Sequence, residues 1–190
     1  MRKLFSVFVV MVIALVAFSS CSKKEESSSG TEKNETPKQE TKKIDYVSDE
    51  VSFVVAFDSE GTKRTVKLKR GQDRLDIYII INFPETMQIS ATEFRLSMPE
   101  GIEVESDEFY KKRTAVLGRF EHGIAETFPC VPGPRLILHR LTLKISEPVR
   151  NGEISLLPSR KTDFIGVASC EEGFPKVSAS SYKAIINPSD

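Results

Sequence analysis

From Ile44 onward, short runs of alternating apolar and polar residues are separated by turn residues, and each run predicts a strand. Phe53, Val55 and Phe57 alternate and stop at Asp58-Ser59-Glu60-Gly61, and Val66 and Leu68 follow before Arg70-Gly71. The clearest run puts Leu75, Ile77, Ile79, Ile81 and Phe83 on one face and Asp76, Tyr78, Ile80 and Asn82 on the other. Because the second face still carries Tyr78 and Ile80, this strand is expected to be central and partly covered on both sides. Pro84 ends it. Phe94 to Met98 alternates strictly, and Pro99-Glu100-Gly101 turns the chain into Ile102 and Val104. Strands are expected over residues 114–120 and 123–128, while residues 107–112 leave room for one helical turn at most. In the run over residues 135–146, Leu136 and Leu138 share one parity and Leu141, Leu143 and Ile145 the other. The slip falls at His139-Arg140 and predicts a β-bulge or bend. Asn151-Gly152 is a turn signal before Ile154-Ser155-Leu156, and residues 165–169 and 177–186 complete the set. No window carries a helical period. The expected fold over residues 46–190 is therefore all-β, an antiparallel β-sandwich with a barrel as second choice.

The first 45 residues have a different texture. Arg2 and Lys3 precede an apolar run over residues 4–18 in which only Ser6 is polar, and Ser19-Ser20-Cys21 follows. A run of about fifteen apolar residues suits an export signal over residues 1–20 and is short for a membrane span. Residues 22–43, SKKEESSSGTEKNETPKQETKK, hold no aliphatic or aromatic side chain. Such a segment cannot bury enough apolar surface to offset its ordering entropy, so residues 21–45 are expected to be a disordered tether. Its Lys and Glu residues balance, and about 22 residues of flexible coil reach roughly 25 Å on average. A specific binding tail is the rival reading. Overall charge also balances, with 27 basic and 27 acidic residues, and tryptophan is absent. With no basic block on a folded segment, the composition argues against nucleic acid as a partner.

Two resemblances add to this. Phe18-Ser19-Ser20-Cys21 resembles the lipobox of bacterial lipoproteins, departing from its usual form at Phe18. The resemblance implies a diacylglycerol on the Cys21 thiol, cleavage before that residue and an acylated amine. Two or three acyl chains would anchor the protein stably in a bilayer. Ser22, where an Asp would retain a lipoprotein at the inner membrane, implies the outer membrane of the cell envelope. With Cys21 so used, Cys130 and Cys170 remain as a pair in an oxidising setting, where a disulfide would close a loop of about forty residues. Two free buried thiols are the alternative. The second resemblance rests on Ile77 to Ser106, IYIIINFPETMQISATEFRLSMPEGIEVES. A strand, a short Ile-Ser-Ala link, an alternating strand and Met-Pro-Glu-Gly-Ile-Glu-Val look like the opening of cohesin-like domains. That fold is shared with some carbohydrate-binding modules. Cys130-Val131-Pro132-Gly133-Pro134 before a strand, with Cys170 near the end of another, is similar to secreted bacterial sandwiches. The likeness covers most of residues 47–187 and implies a nine-stranded, jelly-roll-like sandwich with a binding role. It supplies no catalytic residues.

Candidate chemistry is sparse. His122 in Phe120-Glu121-His122-Gly123 is a conceivable base or ligand, as is His139 at the expected bulge, since imidazole titrates near neutrality. Each has a plainer reading, an exposed turn and an outward strand position respectively. Tyr110 is the best placed aromatic for a sugar, and with His122 and His139 it makes a possible ligand surface. Glu103, Glu105, Asp107 and Glu108 offer oxygen ligands of the kind calcium takes, at a spacing that matches no known loop. Lys63, Arg64, Lys67, Lys69 and Arg70 suit anionic lipid or glycan, or a strand edge guarded by charge. No Gly-x-Ser-x-Gly elbow and no phosphate-cradling glycine loop occurs, and no metal or cofactor is expected. These observations lead to a lipid-anchored envelope protein whose non-catalytic sandwich binds or assembles with a protein. A carbohydrate-binding module is the alternative, and a hydrolase the third reading.

Overall fold

The computed structural model describes residues 46–110 and 112–188, with side chains from residue 50 onward. The expected signal, Cys21 and the tether lie outside the described residues. Twelve strands run through the described part, which contains no helix. They are β1 (Tyr46–Ala56), β2 (Thr65–Val66), β3 (Arg74–Asn82), β4 (Gln88–Ser97), β5 (Ile102–Phe109) and β6 (Ala115–Arg119). Then come β7 (Gly123–Pro132), β8 (Arg135–Ile145), β9 (Gly152–Leu157), β10 (Gly166–Ser169), β11 (Lys176–Tyr182) and β12 (Ala184–Ile186).

One layer runs β5-β8-β3-β1-β11. In the other, β6, β7 and β4 lie side by side, and β4 is bordered by β10 along Ala91–Glu93 and by β9 along Arg95–Ser97. β12 and β2 continue beyond β9. Phe53 of β1 meets Phe94 of β4 with ring centroids 5.6 Å apart, so the inner faces pack directly. Pairing of β10 with β11 joins the layers along one side. On the other side, β5 and β6 are both terminal strands, and a seam lies between them.

The two-sided reading of β3 holds. Ile77, Ile79 and Ile81 enter the main core, while Ile80 on the opposite face is 1% exposed among Val54, Ala56, Tyr78 and Ile137. The bulge in β8 is also present. Ile79 pairs with His139 and Ile80 with Ile137, which leaves Leu138 as the extra residue. Two neighbours, Leu138 and His139, consequently both point inward. Cys130 and Cys170 form the expected disulfide, with Cα atoms 6.1 Å apart. It links β7 to the end of β10, the strands that flank β4 on either side.

Several details differ from expectation. The sandwich is mixed, since β1 pairs β11 and β12 pairs β2 in parallel. Twelve strand segments replace nine, and one of the added segments arises where the run over residues 177–186 breaks at Lys183 and its ends join different partners. Ile89-Ser90-Ala91 is part of β4, with no link there. Residues up to Phe109 continue β5 with no helical turn. A bulge at Glu105, between the pairs Val104–Leu143 and Ser106–Thr142, swings Asp107 and Phe109 toward the core side.

Candidate functional site

The seam between β5 and β6 is closed by buried charge. His139 is 0% exposed and sits between two carboxylates. Its Nδ1 lies 2.7 Å from Asp107 Oδ1 on β5, and its Nε2 lies 2.7 Å from Glu126 Oε2 on β7. Arg113, in the β5–β6 connection, bonds Asp107 through Nη2 and approaches Glu126 Oε1 through Nε at 2.9 Å. The latter contact is an ion pair without hydrogen-bond alignment, and neither atom has a hydrogen-bond partner among the described residues. Phe94, Phe109 and Phe120 surround the imidazole edge-to-face at centroid distances of 5.9, 5.1 and 5.3 Å. Arg113 also lies 4.4 Å from the Phe109 ring centroid.

The proton count follows from this geometry. Both ring nitrogens face carboxylate oxygens, and donation from both to ionised carboxylates makes the ring an imidazolium, although Arg113 Nη2 also lies 3.3 Å from Nδ1. Two carboxylates are then balanced by Arg113 and His139. Burial opposes the charge on His139, but bonds from Asp107 and Glu126, with their negative charge, outweigh it and raise its pKa above the usual histidine value. Burial likewise works against the Asp107 carboxylate, and His139 and Arg113 overcome it and hold its pKa below the ordinary range. The imidazole of this latch is enclosed by phenyl rings, while Asp107 and Arg113 keep part of their side-chain surface in solvent. The latch can tie four elements together, but its imidazole cannot act as a surface base.

Above the latch, the outer face of β6-β7-β4-β10 is apolar. Pairing puts Ala115 opposite Thr127 and Leu117 opposite Ala125. It also puts Ala125 opposite Glu93, and Ala91 opposite both Thr127 and Ala168. Apart from Leu117 and Glu93, these outward residues are small and form a floor with a recess of about 200 Å³. Leu117, 72% exposed, stands on one side, and Phe164 on the other. The charge on the floor is internally answered, since Glu93 accepts from Thr162 Oγ1 and from Lys176 Nζ at 3.4 Å. Lys176 in turn lies 4.8 Å from the Phe164 centroid. The recess opens toward the β6–β7 turn into a groove lined by His122, Ser159 and Lys161. Gly118 and Gly123 permit that turn: a Cβ on Gly118 would fall 2.0 Å from the Gly123 carbonyl oxygen, and one on Gly123 would fall 2.3 Å from Ser159 Oγ.

The sequence-derived site residues do not converge. Tyr110 is 50% exposed in a separate cleft with Val131, Pro132 and Arg135. His122 is exposed at the β6–β7 turn. His139 is not a surface residue at all, because the bulge aims it inward. The acidic group also separates: Asp107 belongs to the latch, Glu105 pairs with Arg74 at 2.7 Å, and Glu108 lies 3.7 Å from Arg140. They therefore do not form one calcium cage. Arg113 and Glu126 were not expected. Glu126 left a signal, since it shares parity with Ile124 and Phe128, where a core residue belongs.

No protein-family model matches the chain, and no curated protein matches it. Solved structures do, at the level of fold, and the class they define is the cohesin-like β-sandwich. A cohesin module from a family 33 glycoside hydrolase of Clostridium perfringens superposes with a TM-score of 0.52 at 10% identity, covering 75% of this chain and all (100%) of that one. The seventh ScaB type I cohesin of Pseudobacteroides cellulosolvens gives 0.50 at 12% identity, over 73% and 92% of the two chains. A type III cohesin module from the ScaE cell-surface anchoring scaffoldin of Ruminococcus flavefaciens gives 0.50 at 10%, over 74% and 88%.

Proposed function

We propose that this chain is a non-catalytic protein-docking module, and that a partner protein binds the outer face of β6-β7-β4-β10. One observation carries the reading: this sheet turns alanines and an exposed leucine to solvent while it keeps a carboxylate inside. Apolar floors with an answered polar rim are the usual composition of interaction patches. The cohesin-like fold supports a binding role, and the enclosure of His139 removes the residue best suited to acid–base chemistry. Lipid on Cys21 would hold the module at the envelope through the tether, on the strength of residues 1–43 and their lipobox resemblance.

The docking reading is tested by affinity capture from an envelope extract, comparing the native protein with Ala125→Arg. An arginine at the centre of the floor should abolish capture of a stoichiometric partner while leaving the thermal midpoint in place. Equal capture by the variant would contradict the reading, and binding on a glycan array that Tyr110→Ala removes would favour a carbohydrate ligand. The anchor has its own test. Cys21→Ser should release the protein from membranes or leave it unprocessed, and a mature, membrane-bound variant would refute lipidation.

A further inference from the structure

The described sheet has three terminal strands, and they are not alike. β5 carries Glu103, Glu105 and Glu108 at exposed positions. β2 is flanked by exposed Lys63, Arg64, Lys67 and Lys69. Charges of this kind discourage a second chain from pairing with an open edge. β6, which pairs only with β7, reads Ala115-Val116-Leu117-Gly118-Arg119, with no charge before its last residue. All five residues are exposed, Val116 by 42% and Leu117 by 72%. An uncharged edge of consecutive apolar residues is a template for an added strand. Its two ends are basic on balance, the exposed Glu121 of the β6–β7 turn being outnumbered there by exposed Arg119, Arg160 and Lys161. Lys112 precedes it, and Arg119 closes it beside the turn where Arg160 donates its backbone N–H to the His122 carbonyl and Lys161 lines the groove.

We propose that β6 accepts one extended segment of the partner protein, apolar in its middle and acidic at its ends, as an added strand beside the docking floor. The proposal rests on the docking reading and deepens it. The charge pattern selects the occupant: a second copy of β6 would bring cation against cation at both ends, whereas carboxylates would meet Lys112 at one end and Arg119 and Lys161 at the other. Backbone bonds along the edge would supply affinity for any extended chain, and the flanking charges would supply the choice among them. One face of the added strand would extend the row formed by Ala115 and Leu117, so the same partner could cover edge and floor together.

The test uses the full chain in detergent and two labelled nine-residue peptides, alternating valine and threonine between paired Asp-Glu ends or paired Lys-Arg ends. Fluorescence anisotropy should show the acidic-ended peptide binding at least tenfold more tightly, with the difference shrinking as salt is added. Amide hydrogen exchange should slow in β6 and not in β2 or β5. Arg119→Glu, an exposed substitution that leaves the latch intact, should weaken the acidic-ended peptide at least tenfold. Equal binding of both peptides, unchanged exchange in β6, protection at another edge, or protection of β6 by self-association alone would each overturn the proposal. If Ala125→Arg abolishes partner capture while β6 gains no protection from peptide, the strand proposal fails and the docking floor stands. If capture is indifferent to Ala125→Arg, the docking reading itself fails.

Discussion

The two faces of β7 contrast with the ordinary rule for a half-buried strand. Inward it presents Ile124, Glu126 and Phe128, and outward Ala125 and Thr127. β9 obeys the rule, with Ile154 and Leu156 inside and Glu153 and Ser155 outside. In β7 a charge occupies a core position and alanine takes the solvent side, and each half of that inversion has a local cause. Inside, β5 and β6 are both terminal strands, so the seam between layers needs a tie that alternation alone does not provide. Glu126, Asp107, Arg113 and His139 supply it with matched charge. Outside, the floor carries little charge, and the one carboxylate on it, Glu93, is answered by Thr162 and Lys176. The lesson is that the polarity of a strand face reports what that face meets, which need not be core on one side and water on the other.

The inner half can be broken hardest. Replacing His139 by Ala leaves two buried carboxylates facing Arg113 alone and opens a gap among three phenyl rings. The expected cost is about 3–5 kcal/mol of unfolding free energy, measured by denaturant titration. Combining it with Glu126→Gln should cost less than the sum of the two single changes, because one partner of the lost contact is removed already. Additive costs would mean that His139 and Glu126 do not act as a pair. Next in size is the disulfide, whose reduction should lower stability by about 2–4 kcal/mol for a loop of this length. Since Cys130–Cys170 ties β7 to the end of β10 across β4, its loss should loosen the floor before the latch.

The pH dependence sharpens the same contrast. His139 has its pKa raised in the folded state, so its contribution is fully present below the unfolded histidine value of about 6.5 and is lost as pH rises through the folded value. Asp107 runs the other way: its depressed pKa gives stability present above about 3.9 that is lost as pH falls through the folded value. Stability should therefore be highest between these limits and decline on the alkaline side as His139 loses its proton. A His139→Leu variant should lose that alkaline slope, and an unchanged slope would assign it to another group. The outer half should give the smallest stability effect: Leu117→Ala is expected to stay within about 0.5 kcal/mol of the native value while weakening partner binding.

Much of this fold was legible in local pattern. The double-sided β3 and the bulge in β8 follow from parity, and the cysteine pair from the count left once Cys21 is set aside. Asn151-Gly152, by contrast, makes no hairpin: Gly152 opens β9, which pairs with β4 and β12 and not with β8. What local pattern hides is pairing between distant segments, and the parallel pairs β1–β11 and β12–β2 are of that kind. Two further features were written in parity and can be recovered from it. Val177, Ala179 and Ser181 differ in parity from Ala184 and Ile186, which marks the break at Lys183 where the chain changes partners. Ile102 and Val104 differ in parity from Phe109, which marks the bulge at Glu105 and puts Asp107 on the core side. Glu126 at a core parity was the remaining clue to the latch. Nothing in local spacing could tell that Arg113, in a connection between terminal strands, would meet all three.

The most direct test of the docking claim places a photo-reactive side chain at one position at a time in the living cell. A photo-reactive residue in place of Leu117 should crosslink to a discrete protein partner on illumination, while the same residue in place of Glu108, on the charged edge of β5, should not. Adducts from Glu108 but not from Leu117, or no protein adduct from Leu117 at native expression, would contradict the account.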